Sequence, residues 1–132
     1  PSTITTIKTA NAAVKEIFIP LGSGSTQSDT WEDIPGTDAY IDTAKYAGVT
    51  TTYFEASLKI PTKNGQVFAR LYNVTDKHPV WFSDLSTTSD TSIFSGAKIA
   101  LDPGNKLYRV QMKTTLRYES VIDSARVKIL LR

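Results

Sequence analysis

His78 is the only histidine of the chain, and so the only side chain whose ordinary pKa lies near neutrality. It stands in Asp76-Lys77-His78-Pro79, which reads as an exposed turn rather than a proton-transfer site. There is no cysteine, which rules out disulfides, thiolate metal sites and cysteine nucleophiles. The sequence has no Gly-x-Ser-x-Gly elbow, no His-Glu-x-x-His, no phosphate loop and no dinucleotide fingerprint. Glycoside hydrolysis needs two facing carboxylates. The candidates Glu55, Asp76, Asp84, Glu119 and Asp123 show no pairing in their spacing. The residues therefore point away from an enzyme.

Binding chemistry is better represented. Trp31 and Trp81 are the two tryptophans, and six tyrosines accompany them. Exposed aromatic faces stack on apolar ring faces with large contact area and little entropy to lose. In Val80-Trp81-Phe82, read as a strand, the two large rings point to opposite sides, so one of them leaves the core. Phe68, Arg70 and Tyr72 share one face of another strand, an aromatic–cation–aromatic row. The candidate ligand-binding residues are thus Trp81, Tyr72, Arg70 and Phe68, while Trp31, at a strand start, reads as core. Calcium is the ion such a chain would take if it takes one, through loop oxygens. Asp29, Asp38, Asp42, Asp84, Asp90, Asp102 and Asp123 are candidates, but they are spaced singly with no Ca-loop signature. Otherwise no cofactor is expected. Asn73-Val74-Thr75 is a glycosylation acceptor triplet of the kind that arises by chance.

The elements that carry these residues are strands. Phe54, Ala56, Leu58 and Ile60 alternate with Tyr53, Glu55, Ser57 and Lys59. After Pro61 to Gly65 the alternation resumes with Val67, Ala69 and Leu71. Period-2 alternation marks a strand with one buried face. Asn64-Gly65 tolerates positive φ, so the pair reads as a hairpin over 51–60 and 66–73. Further strands are expected at 4–8, 14–20, 31–34, 80–83, 93–99, 106–116 and 120–131, with a polar edge strand or crossover at 38–46. Leu21 to Asp29 reads as a flexible Gly/Ser loop, and Thr9 to Glu16 as a short helix at most. Tyr108, Val110, Met112, Thr114 and Leu116 oppose Leu107, Arg109, Gln111 and Lys113. Ala125, Val127, Ile129 and Leu131 oppose Arg126, Lys128 and Leu130. If these last two strands are neighbours, their basic residues form one cationic, solvated sheet face. Short strands at this spacing predict an all-β antiparallel sandwich of two packed sheets.

At 132 residues the chain is one domain's worth, 1–132. Its formal net charge of +2 gives no reason to expect nucleic acid, and no apolar run is long enough for a membrane helix. It begins with Pro1 rather than methionine, which reads as processing or trimming of a longer chain. Several stretches look like the β-sandwich modules of bacterial and archaeal extracellular proteins. They are Tyr53-Phe54-Glu55-Ala56, Ala69 to Asp76, Leu85 to Ser89, Leu107 to Gln111 and Ser124 to Val127. Such modules are similar to jelly-roll carbohydrate-binding or adhesive domains, and the resemblance covers residues 30 to 132. It implies a jelly-roll-like fold, a non-catalytic role at the cell surface or outside the cell, and carbohydrate as partner. Residues 1–29 fall outside it, as an N-terminal extension or a strand donated to another subunit. The alternative is a structural or assembly protein, such as a filament subunit, a tail-fibre head or an oligomeric knob.

Overall fold

A computed structural model of the chain describes residues 15–132. The expected strand at 4–8, and most of the expected helix at 9–16, lie outside these residues. Ten strands follow in order: β1 Lys15–Thr26, β2 Glu32–Asp33, β3 Ala39–Asp42, β4 Val49–Lys59, β5 Val67–Asn73, β6 His78–Pro79, β7 Leu85–Thr87, β8 Ile93–Ile99, β9 Asn105–Thr114 and β10 Ser120–Leu131. A single 3-10 turn, Thr43–Lys45, follows β3, and the Asp42 carboxylate caps it by accepting from the Ala44 amide. One sheet runs β1-β10-β4-β8. The other runs β2-β9-β5-β6, with β3 also on β9 and β7 also on β5. All pairings are antiparallel. The result is the antiparallel two-sheet β-sandwich that the alternation and strand spacing predict, jelly-roll-like as the resemblance implies.

The core lies where the two inner faces meet. Phe54 and Leu58 of β4, with Ile122, Val127 and Ile129 of β10, face Val67, Ala69 and Leu71 of β5 and Tyr108, Val110 and Met112 of β9, all essentially inaccessible to water. Burying each large side chain contributes about 1.5–3 kcal/mol, and this is what holds the sheets together. Leu116 lies beyond the end of β9 and is exposed.

Three expectations about the elements are corrected. The pair β4 and β5 is not a hairpin. β4 is hydrogen-bonded to β10 and β8, whereas β5 is bonded to β9, β7 and β6. The connection from Ile60 to Gln66 crosses from one sheet to the other. Alternation fixes which side of a strand is buried, but not which strand it pairs with, and two strands facing across a core alternate just as two strands in one sheet do. In that connection the residues at positive φ are Lys63 and Gly65, not Asn64. A Cβ on Gly65 would fall 2.5 Å from Thr115 Oγ1.

The expected loop at 21–29 is strand as far as Thr26. Its glycines serve close packing. A side chain at Gly22 would meet the Gly36 carbonyl oxygen at 2.7 Å, and one at Gly24 would collide with Ile34. The pairing register with β10 shifts on either side of Gly22, the mark of a bulge. Finally, β9 and β10 lie in different sheets, so their basic residues do not form one cationic face. Three of them face acids instead, while Lys113 lies against aromatic rings. Arg126 and Lys128 pair with Glu55, whose side chain is only 7% exposed. Arg109 pairs with Asp33 and Asp38.

Candidate ligand-binding face

The segment expected as a strand at 80–83 is a tight turn, and this changes how the tryptophan is presented. β6 pairs only at His78 and Pro79 with β5. The chain then bends, with the Ser83 amide donating to the Val80 carbonyl at 3.3 Å. The buried Ser83 hydroxyl holds the bend to β5. It donates to the Val80 carbonyl at 2.7 Å and accepts from the Leu71 amide at 3.0 Å. Trp81 and Phe82 are both lifted off the sheet, 70% and 88% exposed. Phe82 sits at φ 65°, a region unfavourable to a bulky residue. The alternation argument, which sent only one of the two rings outward, fails because the segment is not extended.

Phe68, Arg70 and Tyr72 stand on the outer face of β5, half-buried, while Val67, Ala69, Leu71 and Asn73 point inward. Arg70 is the link between that face and the turn. With Trp81, Phe82, Asp84, Pro79 and Val80 it lines a hollow of about 380 Å³. Its guanidinium is held from two sides. Nε donates to Gln111 Oε1 at 2.9 Å, and the group lies over the Trp31 ring, 4.2 Å from its centre. Burial lowers the Arg70 pKa, while the nearby Asp84 carboxylate raises it. An arginine keeps its charge under such opposing effects.

Trp31 is therefore not core. It is half-buried on the outer face beneath Arg70 and Lys113, and the Lys113 ammonium also lies 5.2 Å from the centre of Phe68. Stacked cations of this kind contribute about 0.5–2 kcal/mol each. A polar ladder continues across the sheet. Gln111 Nε2 donates to Asp33 Oδ1 at 2.8 Å, Arg109 donates to Asp33 at 2.9 Å, and Arg109 also donates in bidentate fashion to both oxygens of Asp38, at 2.7 and 2.9 Å. Hydrogen bonding from Arg109 holds the Asp38 carboxyl below the usual carboxylate range. The candidate residues Phe68, Arg70 and Tyr72 thus lie on one face, with Trp81 at its rim. Trp31, Gln111, Phe82 and Asp84 join them, unforeseen as such. Alternation within 31–34 held the signal for Trp31, since Ile34 is buried and Trp31 is an odd number of positions away.

The other expected groups take structural parts. Asp29, Asp38 and Asp123 are engaged by Arg117, Arg109 and Lys59, and Asp42 caps the 3-10 turn. Asn73 is fully buried, with its amide nitrogen donating to Asp76 and Asp102. The folded chain therefore does not offer the acceptor triplet for glycosylation. His78 is half-buried rather than free in solvent, with Asp102 3.2 Å from its Nε2. A second hollow, also of about 380 Å³, lies among Tyr46, Val49, Thr52, Ile99, Leu101 and Ile129. Lys98 is its only charged lining residue.

No protein-family model matches this sequence, and neither does any curated protein. Solved structures do. A xylan-binding module, CBM15, is similar with a TM-score of 0.55 at 12% identity, over 87% of this chain and 97% of its own. The carbohydrate-binding module CBM6cm-2 from Cellvibrio mixtus lichenase 5A, solved with cellotriose, gives a TM-score of 0.50 at 10% identity, over 88% of this chain and 86% of its own. The VP2 subviral particle of infectious bursal disease virus gives 0.56 at 10% identity over 90% of this chain, which spans about a third (33%) of the capsid chain. This chain has the β-sandwich fold of carbohydrate-binding modules. At these identities the likeness is one of fold.

Proposed function

We propose that this protein is a non-catalytic, extracellular binding module for carbohydrate, and that Trp81, Phe82 and Arg70 form the centre of its site. The observation that carries this reading is the Trp81-Phe82 turn. Two large rings are exposed on a bend that a buried serine fixes, and one of them occupies an unfavourable backbone region. Local strain and exposed apolar surface both cost stability, and they persist where function needs them. The rings supply stacking faces for sugars. Arg70, Asp84 and the Tyr72 hydroxyl supply hydrogen bonds to ring hydroxyls, and the half-buried Trp31 holds Arg70 in place. The guanidinium of Arg70 is held by neutral Gln111 and the Trp31 ring, an arrangement that suits recognition more than proton transfer. The shared fold with xylan- and cellotriose-binding modules makes plant-type β-glycans the first ligands to try.

The test is isothermal titration with soluble xylan and with cello-oligosaccharides, preceded by a glycan array. Trp81→Ala should weaken binding of the retained glycan at least about tenfold, equal to about 1.4 kcal/mol, with the fold unchanged. Undiminished binding by Trp81→Ala, or an array that retains nothing, would overturn the reading.

A further inference from the structure

At the corner where the β5–β6 turn meets the β8–β9 turn, one atom each from Asp76, His78 and Asp102 lie within 4.8 Å of one another. His78 Nδ1 is 2.9 Å from the Pro79 carbonyl oxygen. A carbonyl can only accept, so Nδ1 carries the hydrogen. In the neutral imidazole Nε2 then presents a lone pair. That lone pair faces Asp102 Oδ2 at 3.2 Å, acceptor against acceptor. A proton on Nε2 or a metal ion between the two atoms would join them. A histidine whose far nitrogen donates to a backbone carbonyl is the usual arrangement of a metal ligand.

Tyr108 gives an independent indication. It stands directly opposite Asn73 in the β5–β9 register, and both are wholly buried. Asn73 Nδ2 donates to Asp76 Oδ2 at 2.9 Å and to Asp102 Oδ2 at 2.7 Å, which fixes the two carboxylates side by side. The Tyr108 hydroxyl reaches the same corner and has no hydrogen-bond partner. It approaches the Asp102 backbone amide without attaining hydrogen-bond geometry. Burial pushes its pKa up to about 12; the Asp102 amide opposes this, and the Asp102 and Asp76 charges add smaller increases. A buried hydroxyl without a partner costs about 1–3 kcal/mol. A water bound to an ion in this corner would supply that partner.

We infer that Asp76, His78 and Asp102 form a site for a divalent transition-metal ion of the zinc type. One imidazole with two carboxylates suits Zn²⁺ or Co²⁺ better than Ca²⁺, which prefers six to eight oxygens. Ligands at the usual 2.0–2.2 Å from a tetrahedral ion lie about 3.4 Å apart, close to the observed separation of Nε2 and Oδ2. Lys106 is the competing cation, 3.2 Å from Asp76 Oδ1. The inference does not rest on carbohydrate binding: none of the three ligand side chains lines the hollow beside Trp81, although Pro79, whose carbonyl holds His78, does.

The test uses the tag-free full chain at neutral pH. Titration with Zn²⁺, and separately with Co²⁺, should show one ion per chain, bound more tightly than Ca²⁺. His78→Gln and Asp102→Asn should each weaken Zn²⁺ at least tenfold, and Lys106→Met should tighten it. A wild-type measurement avoids any folding failure of the variants. His78 is the only histidine, so its ring proton resonances should shift or broaden strongly as Co²⁺ binds. Resonances of His78 that stay unmoved at saturating Co²⁺ would overturn the assignment. So would binding no tighter than that of Ca²⁺, or unchanged Zn²⁺ affinity in folded His78→Gln.

Discussion

Single residues here show where stability has been given up for presentation. A phenylalanine at φ 65° carries a conformational cost of about 1 kcal/mol that glycine does not. Phe82→Gly should therefore raise the stability measured by urea unfolding by about 0.5–1 kcal/mol, while weakening glycan binding. A fall in stability would mean that the ring makes contacts in the folded state that its exposure hides. Asp38 gives the pH dependence. Its folded pKa is depressed by Arg109. The stability it contributes is therefore present above the ordinary carboxylate pKa of about 4 and disappears as the pH falls through the lower folded value. Asp38→Asn should lower Tm at pH 7, and the gap to wild type should close as the pH approaches 2. An equal gap at both pH values would show that charge is not what Asp38 contributes. The effect will be modest, because the pair is largely exposed to water.

At the scale of elements, the bend after β6 depends on one hydroxyl. Ser83 replaces a missing strand partner by accepting from the Leu71 amide inside the sandwich. Ser83→Ala leaves that amide buried and unpaired, so unfolding free energy should fall by about 1–3 kcal/mol. A loss below about 0.5 kcal/mol would mean that water or another acceptor takes its place. The alternation at 53–60 and 67–73 correctly marks the buried faces of β4 and β5, because the pleat alone determines facing. It leaves their separation into two sheets open, because that depends on β10 and β8 filling the places beside β4. The run at 80–83 misleads for a local reason. Val, Trp and Phe favour strands, but three residues cannot extend past a serine that bonds back to the chain behind it.

Considered as a whole, the molecule has a core closed on both sides and a sheet that ends in β8, with Ile93 and Phe94 exposed. Among the described residues β8 has no partner on its outer side, and an outer strand with apolar side chains is where a second copy would add. This feature favours the assembly reading as the second possibility. Light scattering over a range of concentrations separates the two. A monomer at every concentration is the expected result for a binding module. A defined oligomer that Phe94→Lys disperses would assign the chain to assembly instead.

The sequence by itself determined the class of fold, the inward faces of the long strands, and the outward row of Phe68, Arg70 and Tyr72. Each of these follows from side-chain periodicity, which a strand obeys wherever it lies. Tertiary structure alone decided which strands are neighbours, and so separated the basic residues of β9 from those of β10 and provided Glu55 and Asp38 to neutralise them. It also brought Trp31 beneath Arg70 and gathered Asp76 and Asp102 from two turns beside His78 of β6. Apart from the neighbours Asp76 and His78, such meetings join residues tens of positions apart, and the lateral pairing of distant strands within each sheet brings them within reach.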